Sequence, residues 1–341
     1  MKIGRFTLLI IFATVICFST AAMAKTVTLK FNYSMPPKKS IAQSWHWYAA
    51  ELEKRSNGQL KIQFFPFGGL FKPPATRNNM TAGTADICNL SISTEGPRMP
   101  LATVSSMPTI EFPNTVQGSL DAVKTWETLV KEFPELAAEF KWVKVLAFQY
   151  LTVYGVYGKE PIYVPGDIKG KKVRAASMHA ELVKLLGGGP VNIVPPKVYM
   201  SMKTGVIDSS IMSISQIYDY KLWEVATNFN DVNMGRSLFA IIMNKESWNA
   251  LPADMQKLMM DLAPAMVKKG AEVMDAETVK GRKGYLAKGG KFLTLTKDQL
   301  KQWDAAKMPL QQKWLDNCKK RNLGDTAEKL LKRFKELAPS K

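Results

Sequence analysis

Histidine and cysteine are scarce in this sequence: its 341 residues include 2 His and 3 Cys. So few ligands leave no ordinary His/Cys zinc site or iron–sulfur cluster, and catalysis that relies on imidazole is thinly supplied. The nucleotide and nucleophile signatures are missing too. There is no Gly-x-Gly-x-x-Gly after a strand, no phosphate-loop Gly-Lys-Ser/Thr and no Gly-x-Ser-x-Gly elbow. The triplet Gly187-Gly188-Gly189 follows a helical pattern and reads as a cap and turn. No segment approaches the ~20 consecutive apolar residues that span a bilayer. Apolar residues make up 46% and charged residues 22%, which excludes a disordered or collagen-like chain. The expectation is a non-enzyme with no catalytic residues, no metal and no cofactor.

What is present begins with a leader. Lys2 and Arg5, the apolar run Leu8–Phe18 and the small-x-small sequence Ala22-Met23-Ala24 have the layout of a secretory signal peptide. Residues 1–24 are therefore set apart, with cleavage after Ala24; an uncleaved anchor is the alternative. Ile16 before Cys17 is too bulky for a lipoprotein site. Loss of Lys2 and Arg5 takes the formal charge from +18 to +16. Nucleic acid is not the expected partner, because the Lys and Arg are spread along an exported chain. The dense cluster from Lys313 to Lys335 is mixed with acids at helical spacing, as on a solvated helix face. The surplus charge suits anions, either a small ligand or an acidic membrane surface. Cys88 and Cys318 remain after processing, as a disulfide or as two buried thiols.

The rest alternates between strand and helix. Val27–Tyr33 reads as a strand, Ser40 caps a helix carrying Trp45, Tyr48 and Leu52 on one face, Asn57-Gly58 stops it, and Leu60–Phe65 is a second strand. That order predicts a parallel βαβ unit. A short helix over Arg77–Ala82 and a strand over Asp86–Leu90 follow. The grammar returns with a strand over Lys171–Arg174, a helix Met178–Leu186 capped by Ser177, a strand Val191–Val194 and a helix Lys197–Lys203. Met80-Thr81-Ala82-Gly83-Thr84-Ala85-Asp86 and Met202-Lys203-Thr204-Gly205-Val206-Ile207-Asp208 share Met-x-x-Gly-x-x-Asp, each at a helix-to-strand junction. Two similar halves imply a bilobal protein. Ala253–Leu286 predicts a long helix, kinked or divided at Pro264, that could bridge the lobes; helices near Thr296–Asn322 and Thr326–Leu337 complete the chain.

Among polar residues, His46 and His179 read as packed or half-exposed side chains. Arg174 stands out, because it closes a strand immediately before a helix. Ligands of open α/β sheets gather at such carboxyl ends, where helix N-termini present free N–H groups. A guanidinium there can hold a carboxylate through two parallel hydrogen bonds; the competing reading is an arginine in an internal salt bridge.

These residues bring out a resemblance over nearly all of the mature chain. The segments Leu29–Pro37, Glu53–Ile62 and Gly83–Asp86 resemble the solute-binding proteins of tripartite ATP-independent periplasmic (TRAP) transporters, the DctP-like family. So do Asp167-Ile168-Lys169-Gly170-Lys171-Lys172-Val173-Arg174, Val198-Tyr199 with Gly205–Asp208, and Asn244 with Trp248–Pro252. The resemblance implies two α/β domains around a cleft, a hinge with a long helix, and closure on an organic anion whose carboxylate pairs with Arg174. It also implies a periplasmic location, the small and large TRAP permease subunits as partners, and a monomer. Tyr154 stands where some relatives carry a second arginine, Met212 where an asparagine is common, and Ser91 where sialic-acid binders have an acid. These departures imply a monocarboxylate with an apolar or aromatic body. Tyr33 and Ser34 are expected to face the cleft from the other lobe. Lobe I is expected to comprise 25–152 and 234–270, and lobe II 153–233 and 271–341. The rival readings are an ABC-type binding protein or ligand sensor, and an exported enzyme on the same frame.

Overall fold

The computed structural model of the chain describes residues 26–38 and 41–339; the expected signal peptide and the expected cap Ser40 lie outside them. β1 (Val27–Asn32) and β2 (Leu60–Phe65) pair in parallel across α1 (Ala42–Arg55), as the sequence implied. Asn57 and Gly58, both at positive φ, turn the chain out of α1. α2 (Thr76–Thr81) leads into β3 (Ile87–Ser91), which runs parallel to β1. α3 (Val116–Glu132) and α4 (Pro134–Ala138) then deliver β4 (Lys144–Tyr150). The strand between β3 and β4 comes from far downstream, as described below.

After Tyr150 the chain crosses to a second sheet, built from β5 (Gly155–Gly158), β6 (Lys172–Arg174), β7 (Gly189–Val191), β8 (Ser209–Met212) and β9 (Asn228–Asn230). α5 (Ser177–Leu185), α6 (Val198–Lys203) and α7 (Ile214–Asp219) connect them. Between Asn230 and Leu238 the chain returns, and β10 (Leu238–Met243) inserts antiparallel between β3 and β4. Past α8 (Lys245–Asn249) and α9 (Ala253–Ala287), β11 (Lys291–Phe292) adds to the second sheet; α10 (Lys297–Lys319) and α11 (Gly324–Leu337) finish the described chain. The strand orders are β2-β1-β3-β10-β4 and β11-β9-β5-β8-β6-β7. Two mixed sheets with helices make the bilobal α/β architecture.

The internal repeat has a physical basis. Asp86 accepts the backbone N–H of Lys30 at 2.7 Å and returns its own N–H to the Lys30 carbonyl at 3.0 Å. Asp208 does the same with Lys172, at 2.8 Å in both directions. In each lobe the carboxylate locks the entering strand beside its parallel neighbour, and a glycine at positive φ (Gly83, Gly205) releases the helix just before it.

α9 runs 35 residues, about 52 Å at 1.5 Å per residue. Of the two outcomes expected at Pro264, division does not occur: the helix continues through it. Its N-terminal half packs on α1, α3 and β4, where Tyr48 Oη donates to the Met259 carbonyl at 2.8 Å and Gln149 Nε2 to that of Met266 at 3.1 Å. Its C-terminal half lies on α7, close enough that a Cβ on Gly284 would sit 2.1 Å from the Tyr218 ring.

The C-terminal segment departs from the expected assignment of 271–341 to the second lobe. α11 packs on α3 of the first: Arg333 pairs with Glu132 at 2.8 Å, and the Phe334 ring lies 6.1 Å from Trp126. α10 reaches both lobes, with Trp303 Nε1 donating to the Tyr163 carbonyl and Trp314 Nε1 to that of Pro100. β7 also lies earlier than the expected Val191–Val194, because its register is set by pairing of Lys172–Arg174 with Gly189–Val191. Cys88 and Cys318 are separate, buried free thiols, so the disulfide alternative does not hold here. No helix among the described residues is long and apolar enough to cross a membrane.

Candidate functional site

Arg174 ends β6, aligned with Ser210 of β8 and Val191 of β7. The next backbone N–H, Ala175, still donates to the Val191 carbonyl at 3.2 Å, so the strand holds the arginine to its last residue. Its Nε donates to the Ile193 carbonyl at 2.9 Å and its Nη1 to the Ile211 carbonyl at 3.0 Å. Neutral acceptors fix the fork without cancelling its charge. Among the described residues it makes no ion pair, so the internal salt-bridge reading fails. Burial pulls its pKa below the ordinary guanidinium value, and the nearby hydroxyls of Tyr154 and Tyr220 act in the other direction.

Tyr154 occupies the first crossing between the sheets. Its N–H donates to the Gly235 carbonyl and its carbonyl accepts from Met234 N–H, both at 3.0 Å, tying the first crossing to the second. Its hydroxyl lies 3.2 Å from Ser237 Oγ, and its ring meets the edge of His179 with centroids 5.3 Å apart. His179 Nε2 lies 2.5 Å from the Met234 carbonyl. A carbonyl can only accept, so this nitrogen carries the proton. Burial, with the Arg174 charge adding to it, lowers the His179 pKa to about 4. The imidazole is therefore neutral at pH 7.

Beside this cluster is a cavity of about 150 Å³. It is lined by Met35, Leu151, Thr152 and Tyr154, by Ser213, Gln216, Asp219 and Tyr220 in and around α7, and by Met274 and Glu277 of α9. Apolar walls with a few hydroxyl and amide groups suit a small organic molecule. The lining also carries the carboxylates of Asp219 and Glu277, and Arg174, whose charge acts on Tyr154 and Tyr220 of the lining, supplies the positive charge that an anionic ligand needs. Among the described residues no group of three His, Cys, Asp or Glu could hold a metal ion.

The sequence-expected site residues separate into groups. Arg174 and Tyr154 come together. Ser91 is half-buried at the end of β3 with its Oγ 3.2 Å from Ser93 Oγ, and Ser34 is exposed on the loop after β1; neither hydrogen-bonds to Arg174 or Tyr154. Tyr33 and Met212 require correction. Tyr33 is 1% exposed, packed among Phe31, Trp45 and Phe64, with its hydroxyl 2.8 Å from His46 Nε2. Met212 is 0% exposed and belongs to the core of the second lobe with Tyr157 and Phe229. Both side chains are packed in hydrophobic clusters of their lobes. The next residue, Ser213, faces the cavity instead and caps α7 by accepting the Gln216 N–H. The Ser-x-x-Gln spacing was a readable signal for that cap; Tyr220, Met35 and His179 had no comparable local signal. Ser177 does not cap α5: Ala176 holds that position, and Ser177 has φ +50°, a conformation few non-glycine residues adopt.

A family model described as DctP, bacterial extracellular solute-binding protein, family 7, matches residues 31–317. The chain belongs to this family. DctP-family relatives include a solute-binding protein of Albidiferax ferrireducens, 25% identical over 296 residues, covering 83% of this chain and 85% of the relative. The C4-dicarboxylate-binding periplasmic protein DctP of Vibrio cholerae is 27% identical over 275 residues, covering 78% and 80%. A crystal structure of a marine metagenome TRAP solute-binding protein specific for aromatic acids, in complex with metahydroxyphenylacetate, superposes with TM-score 0.79 at 24% identity, covering 91% of this chain and 98% of that one. The DctP family consists of periplasmic solute-binding proteins that serve transport, and the bilobal fold is theirs.

Proposed function

We propose that this DctP-family protein captures an organic acid, a monocarboxylate with an apolar or aromatic body, and delivers it to the small and large subunits of a TRAP permease. The observation that carries the reading is the Arg174 guanidinium: half-buried at the end of β6, oriented by two backbone carbonyls, and paired with no carboxylate of the described chain. The ligand carboxylate takes its remaining donor edge, Tyr154 and Ser213 offer hydroxyls, and Met35, Leu151 and Met274 pack on the body. Closure of the lobes excludes water and strengthens the ion pair. No bond is made or broken, so the chain is a binding protein and not an enzyme. It works in the periplasm as a monomer after cleavage behind Ala24, without a metal, a cofactor or nucleic acid.

The aromatic-acid specificity of the metagenome relative supports the ligand class, and the dicarboxylate relative supplies the competitor. Isothermal titration with benzoate, 3-hydroxyphenylacetate, succinate and glucuronate tests the reading. The expected order places the aromatic monocarboxylates first, with binding lost in Arg174→Ala. Equal affinity in that variant would refute the anchor, and succinate in first place would refute the ligand class.

A further inference from the structure

A second compartment opens on the other side of the β6–α5 junction. This crevice of about 850 Å³ lies between the 93–106 segment of the first lobe, the first turn of α5 in the second, and the C-terminal half of α10. It includes neither Arg174 nor Tyr154. Its lining combines apolar surface from Pro97, Pro100, Met178, Leu310 and Trp314 with cations from α10 and the turn after it. Lys313 is engaged by Glu181, the carboxylate among the lining residues. Lys320 and Arg321 make no ion pair with a described residue. The negative end of the α10 dipole favours cations there; Lys320 is exposed, and Arg321 also acts electrostatically on the buried carboxyl of Glu139. A further observation points to a ligand: Ser106 also lines the crevice, is 3% exposed, and its Oγ has no hydrogen-bond partner among the described residues. Such a group normally finds one.

We propose that this crevice is a second binding site, for an amphipathic aromatic anion, built from residues other than those of the Arg174 site. The aromatic body lies on Trp314, Leu310 and Met178. The anionic head is held at the rim by Lys320 and Arg321, and the Ser106 hydroxyl donates to an acceptor on the body. Because the walls come from both lobes and from α10, one molecule in the crevice contacts all three.

The probe is 2-naphthalenesulfonate, titrated against the full mature chain by isothermal calorimetry, with benzoate as the probe of the Arg174 site. Lys320→Glu combined with Arg321→Glu reverses the rim charge, and Asn317→Trp, at an exposed lining position, fills the crevice. Each should weaken naphthalenesulfonate at least fivefold with benzoate binding unchanged, while Arg174→Ala should leave naphthalenesulfonate within twofold. The proposal is overturned if the wild-type chain does not bind the probe at 1 mM, on the order of the weakest affinities worth calling binding. It is also overturned if the α10 variants bind the probe as wild type, or if Arg174→Ala abolishes its binding. Loss of benzoate binding alone would bear on the Arg174 reading and leave this one standing.

Discussion

Arg174 donates its Nη1–H to the backbone carbonyl of Ile211 at 3.0 Å, across the pair of parallel strands β6 and β8. The contact fixes where the guanidinium points before any ligand arrives. Lysine has the charge but not the fork, and cannot hold two carbonyls and a carboxylate in one plane. Arg174→Lys should therefore fold normally and bind its acid more weakly by at least tenfold, about 1.4 kcal/mol. Arg174→Ala should lose about 2–5 kcal/mol, the usual cost of removing one partner of a desolvated charge pair. Titration calorimetry, with thermal melts as a folding control, reads both.

Tyr154→Phe keeps the ring against His179 and removes the hydroxyl beside Ser237. One neutral hydrogen bond has a net worth of about 0.5–1.5 kcal/mol. The expected outcome is a chain with nearly unchanged melting and an affinity reduced about 2- to 13-fold. A variant that binds as tightly as wild type would remove Tyr154 from the list of ligand contacts.

Glu139 supplies a pH signature. Its two carboxylate oxygens accept the N–H groups of Leu101 and Ala102, both at 2.8 Å, yet burial outweighs these bonds and nearby Arg77 and Arg321 and raises its pKa to about 7. In the unfolded chain it titrates near 4.5. Between those values the folded state binds the extra proton, so this group makes the fold lose stability as pH rises from about 4.5 to about 7. Glu139→Gln should flatten that slope. Urea midpoints of wild type and variant at pH 5 and pH 8 check it, and parallel slopes would count against the assignment.

Gly270 and Gly284 let α9 approach each lobe. A Cβ at Gly270 would lie 2.4 Å from Gln149 Nε2, and one at Gly284 2.1 Å from the Tyr218 ring. Alanine at either position should destabilise by about 1–3 kcal/mol through overpacking, despite its better helix propensity. Melting should fall by roughly 2–4 °C per kcal/mol. An unchanged melt for Gly284→Ala would mean that α9 and α7 are not held in contact.

Much of the frame was legible because it depends on local pattern. Alternation marked β1 and β2, and the Met-x-x-Gly-x-x-Asp repeat marked two junctions whose aspartates make equivalent backbone bonds. The position of Arg174, at the end of a strand just before a helix, was readable. Tyr33 and Met212 were misread because neighbouring strand residues point to opposite faces, and a sequence without its partners does not say which face is the cleft. α11 was misassigned for a related reason: its amphipathic pattern shows that it packs, but only contacts with Trp126 and Glu132 show on which lobe. The His179–Met234 bond joins residues 55 positions apart and leaves no trace in either local sequence.

The position of β10 has a consequence for how the molecule matures. Among the described residues, the strand at 238–243 is what joins β3 to β4 in the first sheet. A polypeptide emerging N-terminus first thus presents two strand edges with a vacant slot until some 240 residues have appeared. Open edges of that kind invite wrong pairing. Five of the six strands of the second sheet precede β10 in the chain, while β11 joins after it, so both sheets are completed only by late segments.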